Sequence, residues 1–480
     1  MKPSAPRAAR SDASFVSSRR ELRMNRSLLL LAFLLAACAS PQREAACGPL
    51  VTSPRSPSIE AGPADFDDST IENLSLERTR ELALLRSPSA AAAYAAVLRA
   101  EARIEEARAL FRPTFSLGTT GTLNDKEASF DLPGAGTVTT RQQWQQVWTA
   151  SSSISLFDFG RDRAALAAAR MEADAASLNA RSARQRLLHD VTVAWHRVHA
   201  TSANVIVSEE TLRMAEKQLE DASAWVEAGK RTRDTMLTAG VDQLARRQDL
   251  MVARNARRQA LRVLNILLCR PPDASTTLAT TNAPPPAQEQ LQHMFEAASK
   301  NNPALLALRF RRAALTRSRE SSERSAWPEL TLNTTATRDS SASFGSSPES
   351  AQAVFSFNWL AIDGGRRAAR SAGLSAELME LRAQELLLLQ QLETDLSRAV
   401  LDLDEARSAA HIADQSVQAA TENYRLVNER AEAGTLSARE VLEARRTLAA
   451  ARYAGTEAVF RQHTALAWIE SLTGSALAAN

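Results

Sequence analysis

The sequence predicts a mainly α-helical protein built from two internal repeats of long helical hairpins, with four β-strands gathered at one end. Three observations carry this. Alanine, leucine, arginine and glutamate dominate while aromatics make up only 5%, a mix suited to long helices rather than to cores of large side chains. Landmarks recur at fixed spacings. Pro88 and Pro303 are each followed 25 residues later by Pro113 and Pro328, and Asp158 precedes Gly229 by the 71 residues that separate Asp363 from Gly434. Finally, Leu392, Leu396, Ala399, Leu403, Ala406, Ala410, Ala413, Val417, Ala420, Tyr424, Val427 and Ala431 alternate steps of four and three. That 3.5-residue period implies left-handed supercoiling against a neighbour.

The N-terminal residues 1–37 carry seven Lys/Arg against Asp12 and Glu21, and they read as a secretory signal. A basic flank leads into Leu28-Leu29-Leu30-Leu31-Ala32-Phe33-Leu34 and then small residues, too short a run to span a bilayer as a helix. Met24 stands where such a signal should begin, so residues 1–23 read as an over-extended start. Without residues 1–37 the formal charge falls from +3 to −2, so no basic footprint for nucleic acid remains. Leu35-Ala36-Ala37-Cys38 resembles the lipobox of bacterial lipoproteins. That resemblance implies cleavage before Cys38 and an N-terminal lipid, diacylglycerol plus a fatty acyl chain, on it. Ala39 resembles the pattern of lipoproteins sent to the outer membrane. Residues 38–70 then form a Pro/Ser/Gly-punctuated tether. Cys47 and Cys269 show no spacing logic that establishes a disulfide.

The first repeat is placed at 71–270. A helix over roughly 74–111 ends at Arg112-Pro113, because proline cannot continue a helix. Strands are expected over about 114–157. Asp158-Phe159-Gly160-Arg161 turns into a helix over roughly 161–228, about 100 Å long at 1.5 Å per residue, which Gly229 ends as a C′ residue. A shorter helix returns over 232–268. Residues 271–288, with Pro271, Pro272 and Pro284–Pro286, are the linker. The second repeat, 289–474, follows the same order: a helix to Trp327-Pro328, strands over about 329–360, the Asp363-Gly364-Gly365-Arg366 turn, a helix over 366–433 ended by Gly434, and a return over 436–472. Residues 475–480 are a tail. Helix lengths suggest that 232–268 and 289–326 stack end to end beside 161–228, and that 436–472 and 74–111 do so beside 366–433. In the first long helix the seam reads Ala169, Ala173, Ala176, Ala180, Ala183 and Leu187, then a stutter to Val191, Ala194 and Val198.

Catalytic signals are thin, and the reading is of a protein that is not an enzyme and uses no metal or cofactor. His196 and His199 stand three apart on a helix but lack a partner ligand in sequence, so they read as solvated or packed histidines. Gly364-Gly365-Arg366-Arg367 lacks the spacing of a phosphate loop. It reads as a turn, with Asp363 near a helix N-terminus where a carboxylate is favourable. Trp144 and Trp148 read as barrel packing or a membrane girdle. If the mature chain crosses a membrane it must do so with strands. Four strands cannot close a barrel, so other copies must complete it; two copies give eight strands and three give twelve.

Leu74-Ser75-Leu76-Glu77, Ser87-Pro88, Arg112-Pro113, Leu156-Phe157-Asp158-Phe159-Gly160-Arg161, Asn301-Asn302-Pro303-Ala304-Leu305 and Ala433-Gly434-Thr435-Leu436-Ser437-Ala438-Arg439-Glu440-Val441-Leu442-Glu443-Ala444 occur in that order. Together they resemble the TolC family of outer-membrane efflux and secretion channels, from Leu74 to Gly474. The resemblance implies a mainly α fold with a β-barrel portion: a homotrimer with a 12-stranded barrel in the outer membrane, continued by a helical barrel through the periplasm. It implies a passive exit duct for small molecules or proteins, served by a periplasmic adaptor and an inner-membrane pump of the RND, ABC or MFS type. It also places Glu440 and Glu443, where the family typically has aspartates, at a periplasmic gate; the first-repeat positions are Thr235 and Thr238. A solvated acidic face pairing with Arg439, Arg445 and Arg446 is the competing reading of the two glutamates. A coiled-coil scaffold lipoprotein that opens no pore is the competing reading of the whole chain.

Overall fold

The computed structural model describes residues 71–134, 136–279, 291–339, 349–433, 435–436 and 438–473. The signal segment, Cys38, the tether to residue 70, Cys47, Pro284–Pro286, Gly434 and the 475–480 tail lie outside the described residues.

The first repeat begins with β1 (Ile71–Leu74), α1 (Leu76–Arg86) and α2 (Pro88–Ala109). It continues through β2 (Thr114–Leu123), the hairpin β3 (Ala128–Leu132) and β4 (Gly136–Arg141), and β5 (Trp144–Phe157). Then come α3 (Arg161–Glu227), α4 (Arg233–Leu267) and β6 (Thr276–Leu278). The second repeat has α5 (Leu291–Asn301), α6 (Pro303–Arg324), β7 (Glu329–Asp339), β8 (Glu349–Asn358), α7 (Arg366–Glu432) and α8 (Ala438–Thr473). Both α3 and α7 contain 67 residues.

Each early helix, expected as one rod, is two. Ser87 caps the break in extended conformation with Pro88 at the first helical position. Asn302 does the same before Pro303, its Oδ1 accepting from the backbone N–H of Ala304 at 3.0 Å and Leu305 at 3.2 Å. Proline has no N–H to lose at that position and its φ suits the first turn, so the motif starts a helix as readily as it ends one.

The two largest apolar clusters of the core are related residue by residue by the repeat. The first joins Ala83 of α1, Leu187, Val191, Ala194 and Val198 of α3, and Ala260 and Leu264 of α4. The second joins Ala298 of α5, Leu392, Leu396, Ala399 and Leu403 of α7, and Ala465 and Ile469 of α8. Ala83 to Ala298 is 215 positions, and the other six pairs each differ by 205.

These clusters also correct the expected stacking. α4 ends beside β1 and α1, in line with α2, and both α2 and α4 pack on α3. α8 ends against the start of α6, where Asn302 Nδ2 donates to the Leu472 carbonyl at 3.4 Å, and both α6 and α8 lie between α3 and α7. The composite struts are therefore α4 with α2 and α8 with α6. Helix lengths fit either pairing; the shared apolar cores select this one. Across the layer the order is α2/α4, α3, α6/α8, α7.

α3 is thus covered on two sides and α7 on one. The α7 seam holds: Leu396, Ala399 and Ala406 are at most 1% exposed. In the upper part of α3 the fully buried positions are Ala164, Ala168 and Ala175, while Ala169, Ala173 and Ala176 are half-buried. A helix with two neighbours buries two stripes, so a single-seam reading misplaces the line. Beyond the four-stranded sheet, β3 pairs with β4, and β1 pairs in parallel with β6. The β3–β4 hairpin lies in the stretch from Pro113 to Asp158, which is ten residues longer than its counterpart from Pro328 to Asp363.

Candidate functional site

The four-stranded antiparallel sheet has the order β2-β5-β7-β8. Its register sorts the side chains by face, since directly paired residues point the same way. One face carries Phe115, Leu117 and Leu123 of β2, Trp144, Trp148, Ile154 and Phe157 of β5, Leu330 and Leu332 of β7, and Phe355 and Phe357 of β8, with Thr119, Gln146, Ser152, Thr334 and the tip pair Arg338–Glu349 among them. A bulge between Ser155 and Phe157 brings Phe157 opposite Leu330, onto this face. The other face carries Ser116, Thr120, Thr149, Ser151, Ser153, Thr331, Asn333, Thr335, Thr337, Ser350, Gln352 and Ser356. Hydroxyls and amides bond across it: Ser116 to Ser151 at 2.6 Å, Ser153 to Asn333 at 2.7 Å, and Thr337 to Ser350 at 2.7 Å.

The apolar face is bare on its two edge strands, while Leu332 in the middle of the sheet is buried. Leu117 is 88% exposed and Phe115 79%. Ten residues in β2 and β8 match the roughly 9–11 that a tilted strand needs to cross a bilayer. Aromatics mark both ends of the band. Trp144 and Trp148 stand toward the β2–β5 tip. At the helix end Phe157 meets Phe159 edge-on at 4.7 Å, Phe159 stacks on Trp327 at 5.3 Å, and Trp359 Nε1 donates to the Ala326 carbonyl. Apolar outside, polar inside and aromatic at the two rims is the pattern of an outer-membrane strand. Among the described residues no helix is long and apolar enough to cross a membrane.

The turns that feed strands into helices repeat one geometry. Pro113 and Pro328 immediately precede β2 and β7. Asp158 accepts from the backbone N–H of Gly160 (2.9 Å) and of Asp162 (2.5 Å). Asp363 accepts from Gly365 (3.1 Å) and Arg367 (2.9 Å). These N–H bonds, Arg367 first, hold the Asp363 carboxyl below its usual range. Gly160 and Gly365 sit at φ 86° and 87°, preceded by Phe159 at 55° and Gly364 at 67°. Arg161 then makes a forked pair with Glu329 at 3.0 and 3.2 Å, and Arg324 donates to the Gly160 carbonyl at 3.0 Å. Those two cross-repeat ties, 168 and 164 residues apart in sequence, had no sequence signal.

At the far end Gly229 has φ 70°, and Lys230 N donates to the Trp225 carbonyl at 2.8 Å. Thr435 N to the Arg430 carbonyl, 3.0 Å, repeats this 205 residues later. Arg231 reaches the Leu436 carbonyl at 3.3 Å and so ties the two turns together. Glu440 in the first turn of α8 and Glu443 are both exposed at this end. Thr238 and Thr235 lie on α4. Arg445 does not join an acidic surface. It is 2% exposed and pairs with Asp242 of α4, itself 3% exposed, with Arg246 and Arg446 at 3.6 and 3.7 Å from the same carboxylate. Burial, and then the neighbouring Arg446, lowers Arg445 to about 10. Asp242 escaped the sequence reading because its partner is 203 residues away.

The described residues hold no group of three or more His, Cys, Asp or Glu placed to bind a metal. The family model for outer membrane efflux proteins matches residues 79–269 and 294–475. The search of curated proteins returns no match. Solved structures share the fold at low identity. The outer membrane protein VceC of Vibrio cholerae is 20% identical, with a TM-score of 0.70 over 83% of this chain and 96% of that one. The Campylobacter jejuni outer membrane channel CmeC is 14% identical, with a TM-score of 0.71 over 83% and 85%. The open state of the Neisseria gonorrhoeae MtrE channel is 19% identical, with a TM-score of 0.69 over 83% and 88%. With both halves matched and the two-faced sheet in place, the chain belongs to the outer membrane efflux protein family, whose members are outer-membrane exit channels.

Proposed function

We propose that three copies of this chain close into one duct, which carries small molecules or proteins out across the outer membrane. The observation that carries the reading is the two-faced sheet with two open edges, β2 and β8. An open edge leaves backbone groups unpaired, which lipid does not tolerate. The helices end the same way. α4 presents Leu237, Val241, Leu244 and Met251, all more than half exposed, on the β2 side of the layer. α7 presents Met379, Leu386, Leu401 and Ile412, also more than half exposed, on the β8 side. Unlike edges on opposite sides join head to tail, and such contacts form a ring when the rotation between copies closes. A scaffold that opens no pore gives the bare apolar face no role.

In this reading a periplasmic adaptor and an inner-membrane pump, of RND, ABC or MFS type, load the duct at its α4–α8 end. Glu440 and Glu443 ring the entrance with six carboxylates and favour cations. Cys38 carries the lipid and fixes the N-terminus to the membrane; mass spectrometry finding the mature chain uncleaved or unacylated would remove that part. Purified protein in a planar bilayer should give steady single-channel steps at neutral pH. A protein that inserts but never conducts would return the chain to the scaffold class.

A further inference from the structure

Of the seam joining the two repeats, the α3–α8 part differs from the seams within them. α7 meets α8 through apolar side chains such as Ala420, Leu448 and Ala451. α3 meets α8 through a polar ladder: Arg197 with Glu457, Asn204 with Thr456, Ser208 with Tyr453, Glu210 with Arg452, and Gln218 with Arg445. One rung is a pair of rings. His196 of α3, 8% exposed, stacks on His463 of α8 with centroids 4.2 Å apart and planes within 10°. Buried Trp195 packs edge-on against His196 at 5.0 Å and at a tilt against His199 at 4.1 Å. His199 hydrogen-bonds the Ala279 backbone, and its Nε2 is buried without a partner.

The groups that bear on His196 are positive when charged. They are His199 on α3, His463 on α8, and Arg80 from α1, which donates to Thr192 and pairs with Glu470 at 3.6 Å. α4 meets this stretch of α3 through Ala260 and Leu264, and α7 meets this stretch of α8 through Leu396 and Ala399. Asp402 and Glu405 of α7, His189 of α3 and Arg461 of α8 line the adjoining groove and are not among the groups that shift either ring.

We propose that the His196–His463 stack is an acid-sensitive latch between the repeats: protonating the rings parts α8 from α3 and frees the α7–α8 pair to move against α3–α4. Burial, then His463, lowers His196 to about 3 in the latched state, and burial lowers His463 as well. Once released into water each ring returns to roughly 6.5. A histidine depressed in the latched state holds the latch fully above that value and loses its hold as pH falls toward 3. For His196 alone the released fraction rises about 25-fold between pH 7 and pH 5. If the duct reading holds, acid then widens the entrance.

The test uses the full chain with Cys47 and Cys269 replaced by serine and spin labels at Ile206 of α3 and Val459 of α8, both exposed, diluted with unlabelled chain. Pulsed spin-spin distances at pH 7.5 and pH 5 should show a longer second population in acid. His196→Gln with His463→Gln should abolish that pH response. If the pair fails to assemble, His463→Phe keeps a stacked ring without the proton and should blunt the response. No acid-dependent population in the parent chain, or the same response in the variants, would overturn the latch. Bilayer current recorded in parallel separates the two ideas: a longer distance without conductance removes the duct and leaves the latch.

Discussion

At the residue scale the most constrained positions are Gly160 and Gly365, and they make a controlled pair. Both sit near φ 87°, where a Cβ costs roughly 1–2 kcal/mol. At Gly365 a Cβ would meet nothing within 4 Å, whereas at Gly160 it would run into the Arg324 guanidinium that holds the Gly160 carbonyl. Gly365→Ala should therefore lower stability by the backbone strain alone, and Gly160→Ala by more. Thermal melts of the two purified variants read the difference; equal losses would mean that the Arg324 tie contributes nothing. Glu440 and Glu443 make the second residue-scale prediction. The Glu440→Gln, Glu443→Gln double variant should lose cation selectivity and block by multivalent cations on the helix-tip side, with assembly unchanged. Reversal potentials across a salt gradient that match the parent protein would place the constriction elsewhere.

At the element scale, α7 shows what a sequence period can and cannot reveal. Its 3.5-residue seam was legible because α7 has one internal neighbour, so one stripe is apolar and buried. Alanine at Ala406 and Ala413, 1% and 6% exposed, lets the partner helix approach closely. Ala406→Leu should lower stability by about 1–3 kcal/mol through overpacking; an unchanged thermal melt would contradict the seam. α3 was less legible, because a helix between two struts buries two stripes, and many of its α8 contacts are polar. The alternation of Phe355 and Phe357 in β8 places both on one face of the sheet, since a period of two needs no partner to define it. The swap of composite struts and the Asp242–Arg445 pair were invisible for one reason: both depend on contacts between residues some 200 positions apart, which no local pattern encodes.

At the scale of the whole molecule, one asymmetry governs the account. The layer has unlike edges, β2 with α2/α4 on one side and β8 with α7 on the other, and each edge leaves apolar or backbone groups without cover. Nothing within one copy can satisfy both. Joining the β8 edge of one copy to the β2 edge of the next satisfies sheet and helices together, and twelve strands then enclose the hydroxyl-lined face. Cysteine cross-linking across that junction tests this most directly. In a chain with Cys47 and Cys269 changed to serine, single cysteines are placed along β2, at Gly118 and Thr120, and paired in turn with cysteines along β8, at Gln352 and Val354. Oxidation of the membrane-embedded protein should give, for at least one pair, a ladder of covalent species that stops at three copies. Chains that remain monomeric for every pair, or a ladder that runs past three, would contradict the closed trimeric duct.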